Sequence, residues 1–81
     1  MKTRKNELGD KNIIGAQITK IRISKGLKQK EFISYLQVEG LDINPTSVSK
    51  LEGQTRQVTD KEIIVIAKVL GVSPAELFLQ E

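Results

Sequence analysis

Residues 44–52 read NPTSVSKLE, a stretch that predicts a short helix with one apolar and one polar edge. Asn44 is a favoured N-cap residue, and Pro45 suits the first helical position. Val48 and Leu51 are three residues apart, so they would point together into a core. The polar edge carries short side chains and one lysine: Thr46, Ser47, Ser49 and Lys50. Short donors and acceptors near a helix N-terminus can approach DNA bases and phosphates closely, although an ordinary short surface helix has the same pattern.

Stop and start signals predict further helices on both sides of this one. Each of four periodic stretches is followed by a glycine that can adopt the left-handed conformation of a helix C-terminus: Gly26, Gly40, Gly53 and Gly71. Residues 59–62 and 73–76 both fit the capping box. Together with apolar periodicity, these signals predict helices near 12–25, 28–39, 45–53, 59–70 and 74–79. No alternating strand pattern competes, so the predicted fold is all-α.

Length and composition predict a single small domain. The chain has 81 residues, 38% of them hydrophobic, with one Tyr, two Phe and neither Cys nor His. Disulfides, the usual zinc sites and Cys or His nucleophile–base pairs are therefore excluded. No apolar run is long enough for a signal peptide or a membrane span. We expect a soluble, cytoplasmic protein without metal or cofactor, with a flexible polar arm at 1–11 and a folded domain at 12–81.

Basic residues are concentrated near the start of the chain. Residues 1–30 carry nine Lys or Arg and two acidic residues, a net charge of +7. Residues 31–81 carry four basic and eight acidic residues, a net charge of −4. This asymmetry is expected if one face of the protein meets a polyanion. Lysines that only solvate amphipathic helices would give the same asymmetry.

Several motifs occur in a fixed order between residues 13 and 78. They are Ile14-Gly15, Ile18, Ile21-Arg22, Gly26-Leu27, Gln29 and Glu31-Phe32, then Val48-Ser49-Lys50-Leu51-Glu52, and last Ile66-Ala67, Leu70-Gly71-Val72-Ser73 and Glu76-Leu77-Phe78. In combination they resemble the Xre/Cro, lambda repressor-like helix-turn-helix family. The resemblance implies a compact five-helix domain that binds double-stranded DNA sequence-specifically as a transcription regulator. It further implies a repressor that acts as a homodimer on a palindromic site.

The resemblance also implies the residues that meet DNA. The helix at about 45–53 would read the major groove. Base or phosphate contacts would come from Asn44, Pro45, Thr46, Ser47 and Lys50, and a second phosphate clamp from Gln54, Thr55 and Arg56. Gln29 would touch the phosphate backbone, and Lys28 is a further candidate for phosphate contact. Arg22 would form a partly buried ion pair with Glu52 and offset the repulsion between that carboxylate and DNA.

The spacing before the predicted recognition helix departs from the family pattern. Leu36 and Val48 are twelve positions apart, several more than the family usually has. The extra residues, around 37–43, lengthen either the second helix or the turn that follows it. The angle at which the recognition helix meets the groove depends on which of the two is longer.

Two other classes of function fit parts of the sequence. Asp60 and Glu62 are neighbouring carboxylates, but a capping box explains them, and no nucleophile–base pair, phosphate loop or cofactor motif is present. We therefore predict that the protein is not an enzyme. A protein-interaction module, or an antitoxin-like partner protein that also binds DNA, stays open. Its docking or dimer surface would be the acidic second half or the last helix with residues 79–81.

Overall fold

The computed structural model describes residues 11–79, which contain four α-helices and no strand. The α-helices are α1 (Gly15–Ser24), α2 (Gln29–Val38), α3 (Pro45–Glu52) and α4 (Asp60–Leu70), and a short 3-10 helix, η1, spans Pro74–Phe78. The all-α prediction is confirmed. The predicted arm at 1–11 lies outside the described residues except for Lys11, as do residues 80 and 81 of the predicted dimer surface.

The prediction of a fifth α-helix at 74–79 is wrong. The backbone amide of Glu76 donates to the Ser73 carbonyl, and that of Leu79 donates to the Glu76 carbonyl. Both bonds join residues three positions apart, which is the 3-10 pattern. The segment is only five residues long, too short to accumulate the bonds between residues four apart that stabilise an α-helix.

The starts of α3 and α4 follow the local capping signals. The Asn44 side-chain oxygen accepts a hydrogen bond from the Ser47 amide at 2.8 Å, and Pro45 occupies the first turn. At α4, the Thr59 hydroxyl accepts from the Glu62 amide at 3.2 Å, while the Glu62 carboxylate accepts from the Thr59 amide at 2.9 Å. These side chains satisfy backbone donors that a helix start would otherwise leave unpaired.

Three of the four predicted glycine stops adopt the left-handed conformation, and one does not. Gly53, after α3, has a φ of −83°, and the next residue, Gln54, has the positive φ, 64°. The prediction for Gly53 is therefore wrong. The backbone amides of Gln54 and Thr55 donate to the carbonyls of Leu51 and Lys50, so Gln54 and not Gly53 takes the left-handed position that closes α3. The Gln54 side-chain amide donates to the Asn12 carbonyl at 2.9 Å.

One apolar core lies between the helices. Its buried side chains come from every helix and from the turn before α3: Ile14, Ile18, Phe32, Ile33, Leu36, Ile43, Val48, Leu51, Ile66, Ala67, Leu70 and Leu77. Val48 and Leu51 are fully buried, as the spacing within residues 44–52 predicted. Burial of these two side chains anchors α3 on the core and leaves its opposite edge outside.

The N-terminal end of α1 packs directly on the C-terminal end of α3. A Cβ atom built on Gly15 would collide with the Leu51 carbonyl oxygen and lie 3.0 Å from the Glu52 carbonyl oxygen. The Asn12 side chain crosses the same contact, donating to the carbonyl oxygens of Leu51 at 3.1 Å and Arg56 at 2.8 Å. Only glycine allows this approach, which sets the position of α3 against α1.

Most of the extra residues around 37–43 lie in the turn before α3, and only Gln37 and Val38 belong to α2. Helix α2 ends at Val38, and residues 39–44 form the connection. Ile43 lies in the core and Leu41 packs against it, so this connection is part of the folded structure.

No helix in the described range 11–79 has the length and apolar character to cross a membrane. The same range holds no cluster of three or more potential metal-ligating His, Cys, Asp or Glu side chains.

Candidate nucleic-acid interface

The polar edge of α3 lies on the surface. We call it the α3 edge and define it by its residues: Asn44, Pro45, Thr46, Ser47, Ser49 and Lys50. All are exposed except Ser47, which is half-buried. Thr46 and Lys50 are four residues apart and share one side of the helix. The α3 edge therefore presents hydroxyl, amide and ammonium groups to solvent along two turns.

An ion pair fastens the C-terminal end of α3 to α1. Arg22 Nε lies 2.8 Å from Glu52 Oε2, and Arg22 Nη2 donates to Glu52 Oε1 at 3.3 Å. The two side chains are only 12% and 8% exposed. Arg22 Nη1 also donates to the Leu27 carbonyl at 2.8 Å, in the connection between α1 and α2. The predicted contact is present, and one guanidinium joins three parts of the fold.

Gln29 joins the start of α2 to the same carboxylate. Its Nε2 donates to Glu52 Oε1 at 3.2 Å, and its Oε1 lies 3.5 Å from the Ser49 hydroxyl, which donates to it. The side chain is half-buried. Gln29 therefore lies beside the α3 edge, and its contacts with Glu52 and Ser49 set the orientation of its amide.

The exposed lysines around α1 and α2 do not all lie beside the α3 edge. Lys28 immediately precedes Gln29, so its ammonium can reach the region next to Ser49. Lys25 Nζ, in contrast, lies 3.9 Å from the position that a Cβ on Gly71 would take, at the end of α4. The structure thus directs Lys25 towards the end of α4, while Lys28 is exposed and precedes Gln29, the residue whose side chain contacts α3.

The segment after α3 corrects one predicted DNA contact. Gln54 is only 8% exposed, with its amide donating inward to Asn12, so the prediction that it clamps a phosphate is wrong. Thr55 is exposed, but its amide and hydroxyl both donate to the Lys50 carbonyl, at 2.8 Å and 3.2 Å. Arg56 is half-buried and its guanidinium donates to both Glu62 carboxylate oxygens, at 3.3 Å and 3.0 Å. This segment mainly closes α3 and joins it to α4.

The Arg56–Glu62 pair is expected to make part of the stability depend on pH. Burial opposes ionisation of Glu62, but hydrogen bonds from Arg56 and the Thr59 amide together lower its pKa below the usual value of 4.5. A carboxyl whose pKa is lower in the folded state stabilises the fold above the unfolded-state pKa, and this stabilisation is lost as the pH falls through the folded-state pKa.

Glu62→Gln keeps the capping group and removes the charge. We expect it to lower the free energy of unfolding by about 1 kcal/mol at neutral pH, and by much less at pH about 3, as measured by chemical denaturation. Asp60→Asn is the matched control, because Asp60 is exposed and forms no ion pair within residues 11–79. An equal loss at both pH values would show that the ion pair is not the cause.

Sequence reasoning missed the role of Asn12. Its Oδ1 accepts from the amides of Ile14 and Gly15, at 3.1 Å and 2.7 Å, while its Nδ2 donates to the end of α3 and the segment beyond it. An Asn just before an apolar helical run is a recognised start signal, and it could have placed the start of α1 after residue 12. No pattern among the residues next to Asn12 in sequence could have predicted its bonds to Leu51 and Arg56.

Comparison with known families matches residues 17–79 to the Cro/C1-type HTH DNA-binding domain. The matched range holds most of α1 and all of α2, α3, α4 and η1. Comparisons with curated proteins and with solved structures gave no significant match. The matched range covers well over half of the chain and includes the α3 edge, Gln29 and the Arg22–Glu52 pair. The chain therefore belongs to the Cro/C1-type HTH DNA-binding domain family.

Proposed function

We propose that the protein is a sequence-specific transcription regulator, acting as a repressor, that inserts α3 into the major groove of double-stranded DNA. The observation that carries the proposal is the exposure of the α3 edge while Val48 and Leu51 hold the opposite side of the helix in the core. The Arg22–Glu52 pair supports it, since a buried and neutralised carboxylate at the end of α3 repels phosphates less than a free one would.

The proposed contacts follow from the chemistry of each exposed group. Lys50 can donate to guanine O6 and N7, and the hydroxyl and methyl groups of Thr46 can contact base edges or the thymine methyl group. Ser47 and Asn44 lie nearer the N-terminus of α3, where phosphates are favoured. Gln29 and Lys28 would contact the phosphate backbone. Of the three residues predicted to form a second phosphate clamp, Thr55 is the exposed one and would contact the phosphate backbone.

We include a homodimer on a palindromic site in the proposal. Two exposed apolar side chains at the C-terminal end, Phe78 and Leu79, are available for contact between two copies. A two-fold dimer would place the two α3 helices about 34 Å apart, or a multiple of it, on one face of the duplex. Footprinting should then show two half-sites with that separation.

Selection of binding sites from random DNA, followed by titration at two salt concentrations, tests the function itself. We expect one enriched sequence, and an affinity for it that falls steeply between about 50 and 200 mM salt because phosphate contacts release counterions. A protein-interaction module without DNA binding would enrich no sequence and show no steep salt dependence. That result would reject the proposal.

Two lysine substitutions separate phosphate contact from base reading. Lys28→Ala should weaken binding to all sequences alike and reduce the log–log salt slope by about 0.9. Lys50→Ala should instead change which base is preferred at one position, where a good contact discriminates by about 1–3 kcal/mol.

Affinity for a set of single-base operator variants measures both effects. Lys61→Ala is the control. Lys61 is an exposed lysine in the first turn of α4, between two acidic residues, and it is not part of the α3 edge. A uniform loss for Lys50→Ala across the operator variants would assign Lys50 to phosphate and not to a base.

A further inference from the structure

The first residues of the turn at 39–44 are hydrogen-bonded to the C-terminal end of α2. The backbone amide of Leu41 donates to the Leu36 carbonyl at 3.0 Å, and the amide of Gly40 donates to the Gln37 carbonyl at 3.0 Å. Gly40 has a φ of +95°, which this closure of a helix C-terminus requires. The turn therefore leaves α2 in a defined direction.

The end of the turn is fastened by a side chain of α2. Gln37 Nε2 donates to the Ile43 carbonyl oxygen at 2.8 Å. Ile43 itself is only 5% exposed and packs in the core. This carbonyl belongs to the peptide group that joins Ile43 to Asn44, the N-cap of α3. Gln37 thus holds the peptide group from which α3 begins.

The two ends of α3 are held by different contacts. The C-terminal end is fixed by the Arg22–Glu52 pair and by Asn12, as described above. The N-terminal end is fixed by the burial of Ile43 and by the Gln37 bond. A helix of eight residues is only about 12 Å long, so a small shift at one end changes its tilt considerably. Recognition groups generally must be held within about 0.5 Å and 10–20° of their working geometry.

We propose that Gln37 is a positioning residue for DNA recognition. Its amide holds the start of α3 at the tilt that base discrimination requires, without touching DNA itself. The inference rests on the proposed function, because tilt affects sequence selectivity only if α3 reads DNA. The elongated turn would then contribute to sequence specificity, because the Gln37 bond to it sets the tilt of α3. The side chains of the α3 edge contact DNA but do not set this tilt.

Gln37→Met tests the proposal, because methionine is neutral and similar in length but has no donor. We expect the affinity ratio between the selected site and its single-base variants to fall by about tenfold at the positions that α3 reads, the order of one base contact. The protein should stay folded, because one hydrogen bond contributes only about 0.5–1.5 kcal/mol to the free energy of unfolding. Gln37→Glu, which has the same shape but only acceptors, should reduce the ratio in the same way.

Two further variants control the measurement. Ser34→Ala changes an exposed residue of the same helix for which the described part of the chain shows no side-chain bond, and it should leave the ratio unchanged. Gln37→Lys restores a donor and should recover selectivity. Its added charge acts on all sequences alike and cancels in the ratio.

The outcomes separate this inference from the proposed function. If the wild-type protein binds its selected site and Gln37→Met keeps the same ratio, or loses affinity equally for all variants, Gln37 does not position α3 and the function stands. If the wild-type protein prefers no sequence, both the function and the inference are rejected. A reduced ratio that Gln37→Lys restores supports both.

Discussion

Arg22→Ala is expected to lower the free energy of unfolding by about 3–5 kcal/mol, the usual cost of removing one partner of a buried ion pair. The Glu52 side chain is only 8% exposed, and without Arg22 its carboxylate would keep, within residues 11–79, only the bond from Gln29. The Leu27 carbonyl would lose its donor as well. Chemical denaturation at neutral pH measures the loss.

Two comparisons test the physical reason for this loss. Lys25→Ala removes an exposed positive charge three residues further along the chain and should change stability by less than about 0.5 kcal/mol. The double substitution Arg22→Met with Glu52→Met should cost much less than Arg22→Ala, because apolar replacement of both partners leaves no buried charge. A loss below about 1 kcal/mol for Arg22→Ala would show that solvent and not Arg22 stabilises the Glu52 carboxylate.

Gly15→Ala is expected to destabilise the protein by about 1–3 kcal/mol or more, the usual range for overpacking a close contact. Helix propensity alone predicts no such loss, since alanine is better than glycine by about 1 kcal/mol inside a helix, and Gly15 is the first residue of α1. The new methyl group would collide with the Leu51 carbonyl oxygen and lie 2.8 Å from Gln54 Cγ. Because a backbone atom takes part in this contact, α1 and α3 would have to separate.

Ile23→Ala is a matched control for Gly15→Ala. Ile23 is exposed on the same helix, so its replacement by alanine should change the free energy of unfolding only slightly. Thermal and chemical denaturation of both variants would decide the sign. If Gly15→Ala were as stable as the wild-type protein or more so, the close approach of α1 to α3 would be wrong. Binding to the selected DNA provides a second readout, since separation of the helices should also shift the α3 edge.

Local patterns predicted correctly what depends on neighbours in sequence. Asn44 caps α3 and Thr59 caps α4 because a cap needs only residues within the next turn. Val48 and Leu51 are buried because their spacing puts them on one side of a helix. The Arg22–Glu52 pair spans thirty positions, and it was predicted only through the family resemblance.

The errors at Gln54 and Gly53 lie where residues far apart in sequence meet, whereas the error at η1 is local. Gln54 is a polar residue that follows a helix, so the sequence indicates a surface position. Its side chain instead points inward and donates to the carbonyl of Asn12, forty-two positions away. The positive φ at the end of α3 lies at Gln54 and not at Gly53. For η1 the capping signals at Ser73 and Glu76 are genuine, but a segment of five residues favours the 3-10 pattern.

The sequence by itself determined the four α-helices, because periodicity and caps depend on neighbouring residues, and it determined the DNA-binding family through the order of short motifs along the chain. Only the tertiary structure decided that the extra residues before α3 form a packed turn, that Gln54 is buried and that Gln37 holds the start of α3. These features depend on how closely α1, α2 and α3 approach one another. The distance between the helices is set by the side chains at their contacts, as at Gly15, where the lack of a side chain lets α1 approach α3. It is also set by hydrogen bonds that form only after the helices have packed.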